Sequence, residues 1–522
     1  MSPPIHQHNF DLQGPVLGRS LLLLTGVFFS SAGPSHSFAE EAIHSDHSLG
    51  LSDEVIPFES FGEDLTRRPR TLTEVIDDTV YPENLERDAM LRARATDDVE
   101  TEVPERRSLF GSDRFLSSGP IDPGVVLPTG ATWRPSFLLF GSYRTALQSY
   151  EAAGDPGRTE WANRLDLFGN LYLSSTERFL FGFRPLDEEG AFTGVAAGQG
   201  IDTDFVNGLN FEPTLFFFEG DFGEIFPNLD PEDTRHLDFG FSIGRQRLVL
   251  QDGILANDHL DLFGATRHNL FQMGASTSRL SGFFGFNELH RNNRVRDSRG
   301  RLIALSSHFD YPERTIEADL VYVNGSDSLG GDGAYLGLGH RAQVGYWHAT
   351  TRINASFALD DTQILPALRG VDDGWLLTHQ MSRVMPYNED VLTFSAFAEF
   401  GDFTSAARDP AVGGPLGGFS MLQRAVEIGT YGAPIPDDGG DLFGLEVAYQ
   451  HFLDGAHRRQ IMAAIGGVGE HGSSQRDATF ATSLTYQQAL SDHLLWIVSG
   501  FGSTTDEGNK GFGLRTELQR KF

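Results

Sequence analysis

The sequence lacks cysteine and has almost no lysine. Cysteine is absent from all 522 residues, and only Lys510 and Lys521 are lysine, so arginine supplies the rest of the fixed positive charge. Without cysteine the chain cannot form disulfide bonds, thiolate metal sites or cysteine nucleophiles. The preference for arginine is typical of a high-GC genome, and it also fits a protein whose guanidinium groups pair with carboxylates or anionic solutes.

Long apolar runs are also scarce. Beyond the N-terminus the chain has no apolar run of the roughly 18 residues that a membrane-spanning helix needs. The run Leu21–Phe29 follows Arg19, is too short to span a bilayer and is followed by small residues. This arrangement predicts a signal peptide over residues 1–39, cleaved after Ala39 or, as the alternative, after Ala32.

Positive charge is scarce overall, because the formal net charge is −32. A balance of this sign argues against a nucleic-acid partner. Residues 40–132 contain 21 acidic and 9 basic residues, which is over a third of the net charge. The composition of Glu40–Gly62 predicts disorder, and the apolar spacing in Thr71–Ala95 allows one or two short helices. We expect a mostly disordered or short-helical periplasmic tail, with a plug or an arm that docks a periplasmic partner as the alternative.

Apolar and polar residues alternate through most of the remaining chain. In Val391–Phe400 the even positions are leucine, phenylalanine or alanine, while Thr393, Ser395 and Glu399 lie on the other phase. A period of two is that of a β-strand. Long alternating strands with charged residues on one face suit a barrel that crosses a bilayer around a wet lumen. The sequence therefore predicts an all-β fold, a transmembrane antiparallel up-and-down β-barrel of about 18 strands (16–18) over residues 133–522. The expected strand centres are near Phe140, Phe168, Phe181, Phe217, Phe241, Phe263, Phe284, Leu305, Leu320, Leu336, Ala349, Thr378, Phe397, Val447, Ala464, Leu484, Val498 and Leu514.

The longest connection between expected strands is Ser405–Asp441. It is rich in glycine, proline and aspartate, and it allows a short helix over Met421–Ile428. Loops of this length are usually functional or disordered. We expect this one either to fold inward and narrow the pore or to shield the outer surface.

The C-terminal segment Gly511–Phe522 has the pattern of a closing barrel strand. Leu514, Leu518 and Phe522 share one phase, and the other phase is polar or glycine. A chain that ends on phenylalanine directly after such a strand is typical of bacterial outer-membrane barrels. We therefore expect Phe522 to be an assembly signal for the barrel-assembly machinery, and the lipid bilayer with its lipopolysaccharide to be the barrel's surroundings.

Charged residues on the polar phase of the expected strands are candidates for the pore lining. Rings of charge set the selectivity of many pores, but lumen arginines and carboxylates also pair with one another and brace a barrel. The two roles stay open from the sequence, because the signs are mixed. The candidates are Arg144, Arg164, Asp166, Arg178, Arg184, Glu317, Asp319, Arg352, Glu399, Glu446, Arg515 and Glu517, with Glu219 on the same phase.

No strong catalytic or metal-binding motif occurs. The chain has no G-x-S-x-G and no H-E-x-x-H. Asp252–Asp261 is acidic but lacks the spacing of a calcium loop. We expect no catalytic residues, no metal and no cofactor, and hence no enzyme. A hydrolase site at the barrel rim is the weaker alternative, because such sites are assembled in space.

Two neighbouring segments, Ile243–Leu255 and Phe263–Leu270, contain a G-R-Q strand, a D-G turn and a downstream basic pair. This arrangement resembles the alginate-export family of outer-membrane proteins. The resemblance implies an 18-stranded barrel that carries anionic polysaccharide or related solutes through an arginine-rich pore. Strict alternation nevertheless puts Arg245 on the outer phase unless a bulge resets the register. The positions that carry the resemblance are Gly244, Arg245, Gln246, Asp252, Gly253 and Arg267.

The features together predict a channel in the outer membrane of a Gram-negative bacterium. We expect either a porin for small solutes or an exporter of an anionic polysaccharide, acting by passive passage. A plugged barrel that acts as a scaffold or adhesin through its loops is the alternative.

Overall fold

The computed structural model describes residues 124–522 except 152–156, 189, 199–200, 233, 235, 361–369, 387, 425, 439 and 472–477. The predicted signal peptide and nearly all of the predicted acidic segment therefore lie outside the described residues. Within them, the chain forms a closed antiparallel β-barrel with 18 positions in its wall. Sixteen positions are single strands: β3 (Ser136–Glu151), β4 (Arg158–Tyr172), β10 (Gly240–Leu250), β11 (Ala256–His268), β12 (Thr277–Phe286), β15 (Arg301–Tyr311), β16 (Arg314–Asn324), β17 (Gly333–Val344), β18 (Trp347–Ala358), β19 (Gly374–Val384), β20 (Val391–Gly401), β22 (Leu442–Phe452), β23 (Arg459–Glu470), β24 (Thr479–Ser491), β25 (Leu494–Thr505) and β26 (Lys510–Lys521).

The other two wall positions are each divided between two strands. One combines β5 (Arg178–Phe183) with β7 (Ala191–Gly198), and the other combines β8 (Ile201–Val206) with β9 (Pro213–Asp221). Strand β4 pairs with β5 along one half of its length and with β7 along the other half. The remaining described elements are short: β1 (Val125–Val126), β2 (Thr132–Trp133), β6 (Asp187–Glu188), β13 (Leu289–His290), β14 (Arg296–Asp297), β21 (Ala407–Arg408), the helix α1 (Phe222–Ile225) and the 3-10 turns Pro227–Leu229, Gln251–Gly253, Asp327–Leu329 and Pro410–Val412.

The barrel closes where the last strand pairs with the first strand of the wall. Strand β26 runs antiparallel to β3 from Phe512 to Lys521. The pairing continues to the last residue, because Gly141 N donates to Phe522 O at 2.9 Å and Phe522 N donates to Gly141 O at 3.1 Å. A Cβ atom at residue 141 would lie 2.2 Å from the Asp166 carbonyl oxygen and 3.0 Å from the Phe522 ring. Glycine at this position therefore lets the terminal phenylalanine lie against the seam.

The alternation in the sequence becomes an apolar outer face and a polar inner face. On the outer face, Leu320, Leu445 and Leu514 expose 55%, 60% and 64% of their surface. Their neighbours in sequence on the other phase, such as Asp319 and Glu446, are buried inside the barrel. A closed barrel with an apolar band outside and polar residues inside is a membrane-spanning barrel. No helix in the described part of the chain is long and apolar enough to cross a bilayer.

The two ends of the barrel differ. One end carries short turns, such as the one in which Tyr311 pairs with Arg314, and it also carries the start of β3 and the C-terminus. The other end carries the long connections. Each of the 18 strand centres expected from the sequence falls in a different wall position.

Residues 402–441, the longest connection, fold into the barrel. Leu416 and Leu422 of this loop are 0% exposed, and so is Leu255 at the tip of the β10–β11 hairpin. All three belong to one hydrophobic cluster with wall residues of β15 to β23. The inner loop and the hairpin tip therefore share a packed core inside the barrel. The short helix allowed over Met421–Ile428 is wrong, because the described residues there form turns.

Candidate pore lining and its constriction

The inner loop is held at its base and middle by two wall carboxylates. One oxygen of Glu399 accepts the backbone N–H groups of Phe403 and Gly440, both at 2.9 Å. Glu446 accepts those of Met421 at 3.0 Å and Leu422 at 2.7 Å. Both carboxylates lie on the inner phase, as the alternation predicts. Their contacts are with the loop backbone, so they fix its position in the lumen.

A buried arginine joins the inner loop to the hairpin tip. Arg408 is 1% exposed, and its guanidinium donates to the carbonyl oxygens of Gly253, Gly413 and Gly414. Burial lowers the pKa of Arg408 to about 10. Ser405 Oγ adds a hydrogen bond of 2.6 Å to Ile254 O. The loop and the tip are thus fastened together, and β21 of the loop also pairs with the start of β11.

The next residue in the loop adds an ion pair to this joint. Asp409 Oδ2 lies 2.7 Å from Nδ1 of His259 on β11. Burial favours a higher pKa for Asp409, but its hydrogen bond and electrostatic interaction with His259 outweigh burial and hold that pKa well below its usual range. The carboxylate is therefore ionised and bound at neutral pH.

Four arginines form a row along the inner wall at the seam, which we call the arginine row: Arg515, Arg144, Arg164 and Arg184. Arg144 and Arg164 are directly opposite each other in the β3–β4 pairing. Like charges in this position repel, so the row needs nearby carboxylates. They are supplied by Glu517, which contacts Arg144 at 2.7 Å and Arg515, and by Asp166, which contacts Arg164 at 2.9 Å and Arg184 at 3.3 Å.

A second charged cluster lies on the wall of β16 to β18. Arg352 contacts Glu317 at 3.3 Å, and Arg341 contacts the same carboxylate at 3.2 Å. Asp252 reaches both arginines from the hairpin tip, at 2.7 Å from Arg352 and 2.5 Å from Arg341. Asp319 accepts a hydrogen bond of 2.6 Å from the side chain of Gln251. In the ion pairs of this cluster, the positive charges of Arg341 and Arg352 equal the negative charges of Glu317 and Asp252 in number.

The remaining predicted pore residues are Arg178 and Glu219, which form an ion pair with each other. They lie nearer the short-turn end and are about one-third exposed. All twelve predicted residues thus lie on the inner phase of the wall or, for Arg184, just after β5. The structure divides them among four groups: the arginine row with its carboxylates, the cluster around Arg352, the pair of Arg178 with Glu219, and the two carboxylates that hold the inner loop.

A cavity of about 490 Å³ lies between the inner loop and the wall of β19 to β26 and β3. Arg144 and Arg515 line one part of it, together with Tyr431 from the loop. Its remaining wall mixes amide and hydroxyl side chains, such as Gln380 and Gln487, with apolar ones, such as Phe419 and Met462. The loop thus narrows the lumen and leaves a space of mixed polarity beside the arginine row.

The residues that carry the sequence resemblance lie in different surroundings. Arg245 is on the outer face, bound to Asp261 at 3.0 Å, and the β10–β11 register runs through it without a shift. Arg267 donates to His236 O near the short-turn end. Gly244 and Gly253 have φ of 126° and 86°. Only the turn around Asp252 enters the lumen. Gln246 bonds Leu262 O of the neighbouring strand.

Sequence reasoning missed several residues that shape the constriction. Arg408 lies in a connection, where strand alternation gives no direction, and Asp252 was named only as part of the family resemblance and not as a lumen residue. Gln148 and Glu160 lie on the inner phase of β3 and β4, and their alternation could have identified them. The described residues contain no group of three or more histidine, aspartate or glutamate side chains placed to hold a metal ion.

The chain is a membrane barrel with an inwardly folded loop and a charged lumen. No protein-family model matches it, and no curated protein matches it. Solved structures that resemble it include Pseudomonas aeruginosa OccK2 (OpdF) and OccK7 (OpdD) and Acinetobacter baumannii OccAB3, at 11%, 10% and 11% identity. Each has a TM-score of 0.48 and covers 74% of this chain, and the match covers 97%, 98% and 99% of their chains, respectively. The fold assignment rests on the strand pairing of the chain itself.

Proposed function

We propose that the protein is an outer-membrane channel of a Gram-negative bacterium that passes small solutes, with a preference for anions. The observation that carries the proposal is the arginine row beside the lumen cavity. Arg144 and Arg515 line that cavity, and both contact the single carboxylate of Glu517. Two cations that share one anion leave positive charge facing the space through which a solute passes.

The remaining charged groups support the same direction. Around Asp252 the ion pairs balance, and Glu446 is occupied by backbone N–H groups of the loop. The positive charge that faces the cavity therefore lies at Arg144 and Arg515, which share the carboxylate of Glu517. Inside a narrow lumen the screening by water is weaker than at a surface, so one charge has a larger effect there.

Conductance in a planar bilayer tests the proposal. Protein extracted from the membrane should give steady current, and a salt gradient should give a reversal potential of the sign for anion preference. Arg515→Gln should lower that preference by roughly half, because it removes one of two arginines at the cavity. Arg520→Gln is the matched control, since Arg520 lies on the same strand, is exposed and faces outward. Cation preference in the unmodified protein, or equal effects of both substitutions, would refute the role of the row.

A plugged barrel that acts as a scaffold is the second candidate. The packed core shared by the inner loop and the hairpin tip favours it, because this core fills part of the lumen. The same bilayer experiment separates the two, since a scaffold plugged by this core passes no current while residues 402–441 are in place.

The location implies further partners, which we also propose. The short-turn end would face the periplasm and the long loops the exterior. The apolar band would contact lipid and lipopolysaccharide, and the closing strand with Phe522 would be recognised by the barrel-assembly machinery. Residues 40–132 would extend into the periplasm after removal of residues 1–39. Export of an anionic polysaccharide, as in the alginate-export family, is a narrower form of the proposal and needs the same surplus of lumen arginine.

A further inference from the structure

A short part of the inner loop lies directly on the arginine row. We call Val426–Thr430 the latch segment. Arg144 donates to Val426 O at 3.0 Å, Arg164 to Glu427 O at 2.6 Å and the side chain of Gln148 to Ile428 O at 3.0 Å. Each successive carbonyl of the segment is thus bound by a polar side chain of β3 or β4.

At the C-terminal end of the latch segment the hydrogen-bond roles are reversed, because the segment donates and a wall side chain accepts. Glu160 Oε1 accepts the backbone N–H of Thr430 at 2.5 Å and its hydroxyl at 3.1 Å. Ile428 between them is 0% exposed and packs on Ala146 and Ala162 of the same two strands. The segment therefore fits the wall with its backbone and with one apolar side chain.

The latch segment also brings its own anion to the row. The carboxylate of Glu427 lies 3.6 Å from Arg164. Together with the carbonyl of the same residue, it places two oxygens around one guanidinium. A carboxylate solute would present oxygens to the same donors, and carboxylates bind guanidinium groups more strongly than neutral carbonyls do.

The backbone of the latch segment includes two residues in the left-handed region. Glu427 has φ of 57° and Gly429 has φ of 64°. Residues other than glycine rarely adopt this left-handed region. Release from the wall would let Glu427 relax, so the strain favours opening once the arginine contacts are lost.

Withdrawal of Glu427 would also change the charge of the row. Its four arginines would then face three carboxylates, Glu517, Asp166 and Asp187. The exposed surplus is positive, and it would attract an anion to the place that the latch segment leaves.

We propose that the latch segment is an internal substitute for an anionic ligand, and that solutes carrying a carboxylate displace it and thereby widen the lumen. The inference rests on the proposed channel function and adds a way in which the transported class of solute controls access. Chloride, a point charge, lacks the paired oxygens that match a guanidinium and is a weaker competitor.

Alkylation of a single introduced cysteine measures the displacement, because the natural chain has no cysteine. Ile428→Cys places a thiol beneath the latch segment, and Leu422→Cys is the matched control. Both parent side chains are 0% exposed in the same loop, but the backbone at Leu422 is held by Glu446 and contacts no arginine of the row. A water-soluble maleimide would be added to the folded full-length protein in sodium succinate or in sodium chloride at equal ionic strength.

Succinate should raise the alkylation rate at residue 428 about tenfold over chloride and leave residue 422 unchanged. Adding Arg164→Gln to Ile428→Cys should give fast alkylation in chloride and remove most of the response to succinate. Equal rates at residue 428 in both salts would overturn the proposal. So would a parallel rise at residue 422, which would mean general loosening of the loop. Alkylation is measured independently of current. An alkylation response in a protein that conducts no current would refute the channel function but support the displacement of the latch segment. Conductance without an alkylation response would support the channel function and refute the displacement.

Discussion

Replacement of Arg408 by methionine should free the inner loop from the hairpin tip. Methionine keeps an apolar chain of similar length but donates no hydrogen bond to the carbonyl groups of Gly253, Gly413 and Gly414. A buried carbonyl without a donor costs about 1–3 kcal/mol. Removal of a buried guanidinium returns part of that free energy, because burial disfavours its charge.

We expect a net cost of about 3 kcal/mol for the docked state of the loop, which corresponds to a rise of about 100-fold in the fraction of opened loop. Chymotrypsin cleavage of the folded barrel within residues 402–441 measures that fraction, because cleavage follows the population of the opened form. Arg424→Met is the matched control, since Arg424 is an exposed arginine of the same loop. If Arg408→Met is as resistant as the unmodified protein, or if the control is cleaved equally fast, the joint between loop and tip has no energetic importance.

Two further predictions follow from close contacts in the wall and lumen. Gly141→Val should sharply lower the yield of folded barrel, because the new Cβ would lie 2.2 Å from the Asp166 carbonyl oxygen. Electrophoresis without heating measures that yield. Gly502→Val is the control and should be tolerated, because no atom lies within 4 Å of its Cβ position. Asp252→Asn removes the charge shared by Arg341 and Arg352. It should shift the reversal potential further in the direction of anion selectivity. An unchanged reversal potential would show that this cluster does not face the conducting path.

The wall of the barrel could be predicted because it depends on one local rule. Each strand needs apolar side chains on the lipid side and tolerates polar ones inside, so the period of two survives in the sequence. The same rule placed Arg164, Glu317 and Glu517 inside and Arg245 outside. It fails where strand pairing is interrupted, which is why the division of β5 from β7 and of β8 from β9 was not foreseen.

The lumen could be predicted only in part, because its contents come from connections. The sequence of Ser405–Asp441 alone does not determine whether the loop turns inward, because residues that it contacts are up to 282 positions away in the chain. The left-handed backbone at Glu427 interrupts helical geometry within Met421–Ile428. Tertiary contacts thus overrode the local preference.

The position of Arg144 has a consequence for the order of assembly. One guanidinium on the first wall strand contacts both Glu517 on the last strand and Val426 of the inner loop. The inner loop and the seam between β26 and β3 are therefore both held by Arg144. If β26 paired with β3 before residues 402–441 had entered the lumen, Arg515, Arg144 and Arg164 would lie side by side without Glu427. Loop insertion and closure of the cylinder therefore both form contacts of Arg144, so each would stabilise the other.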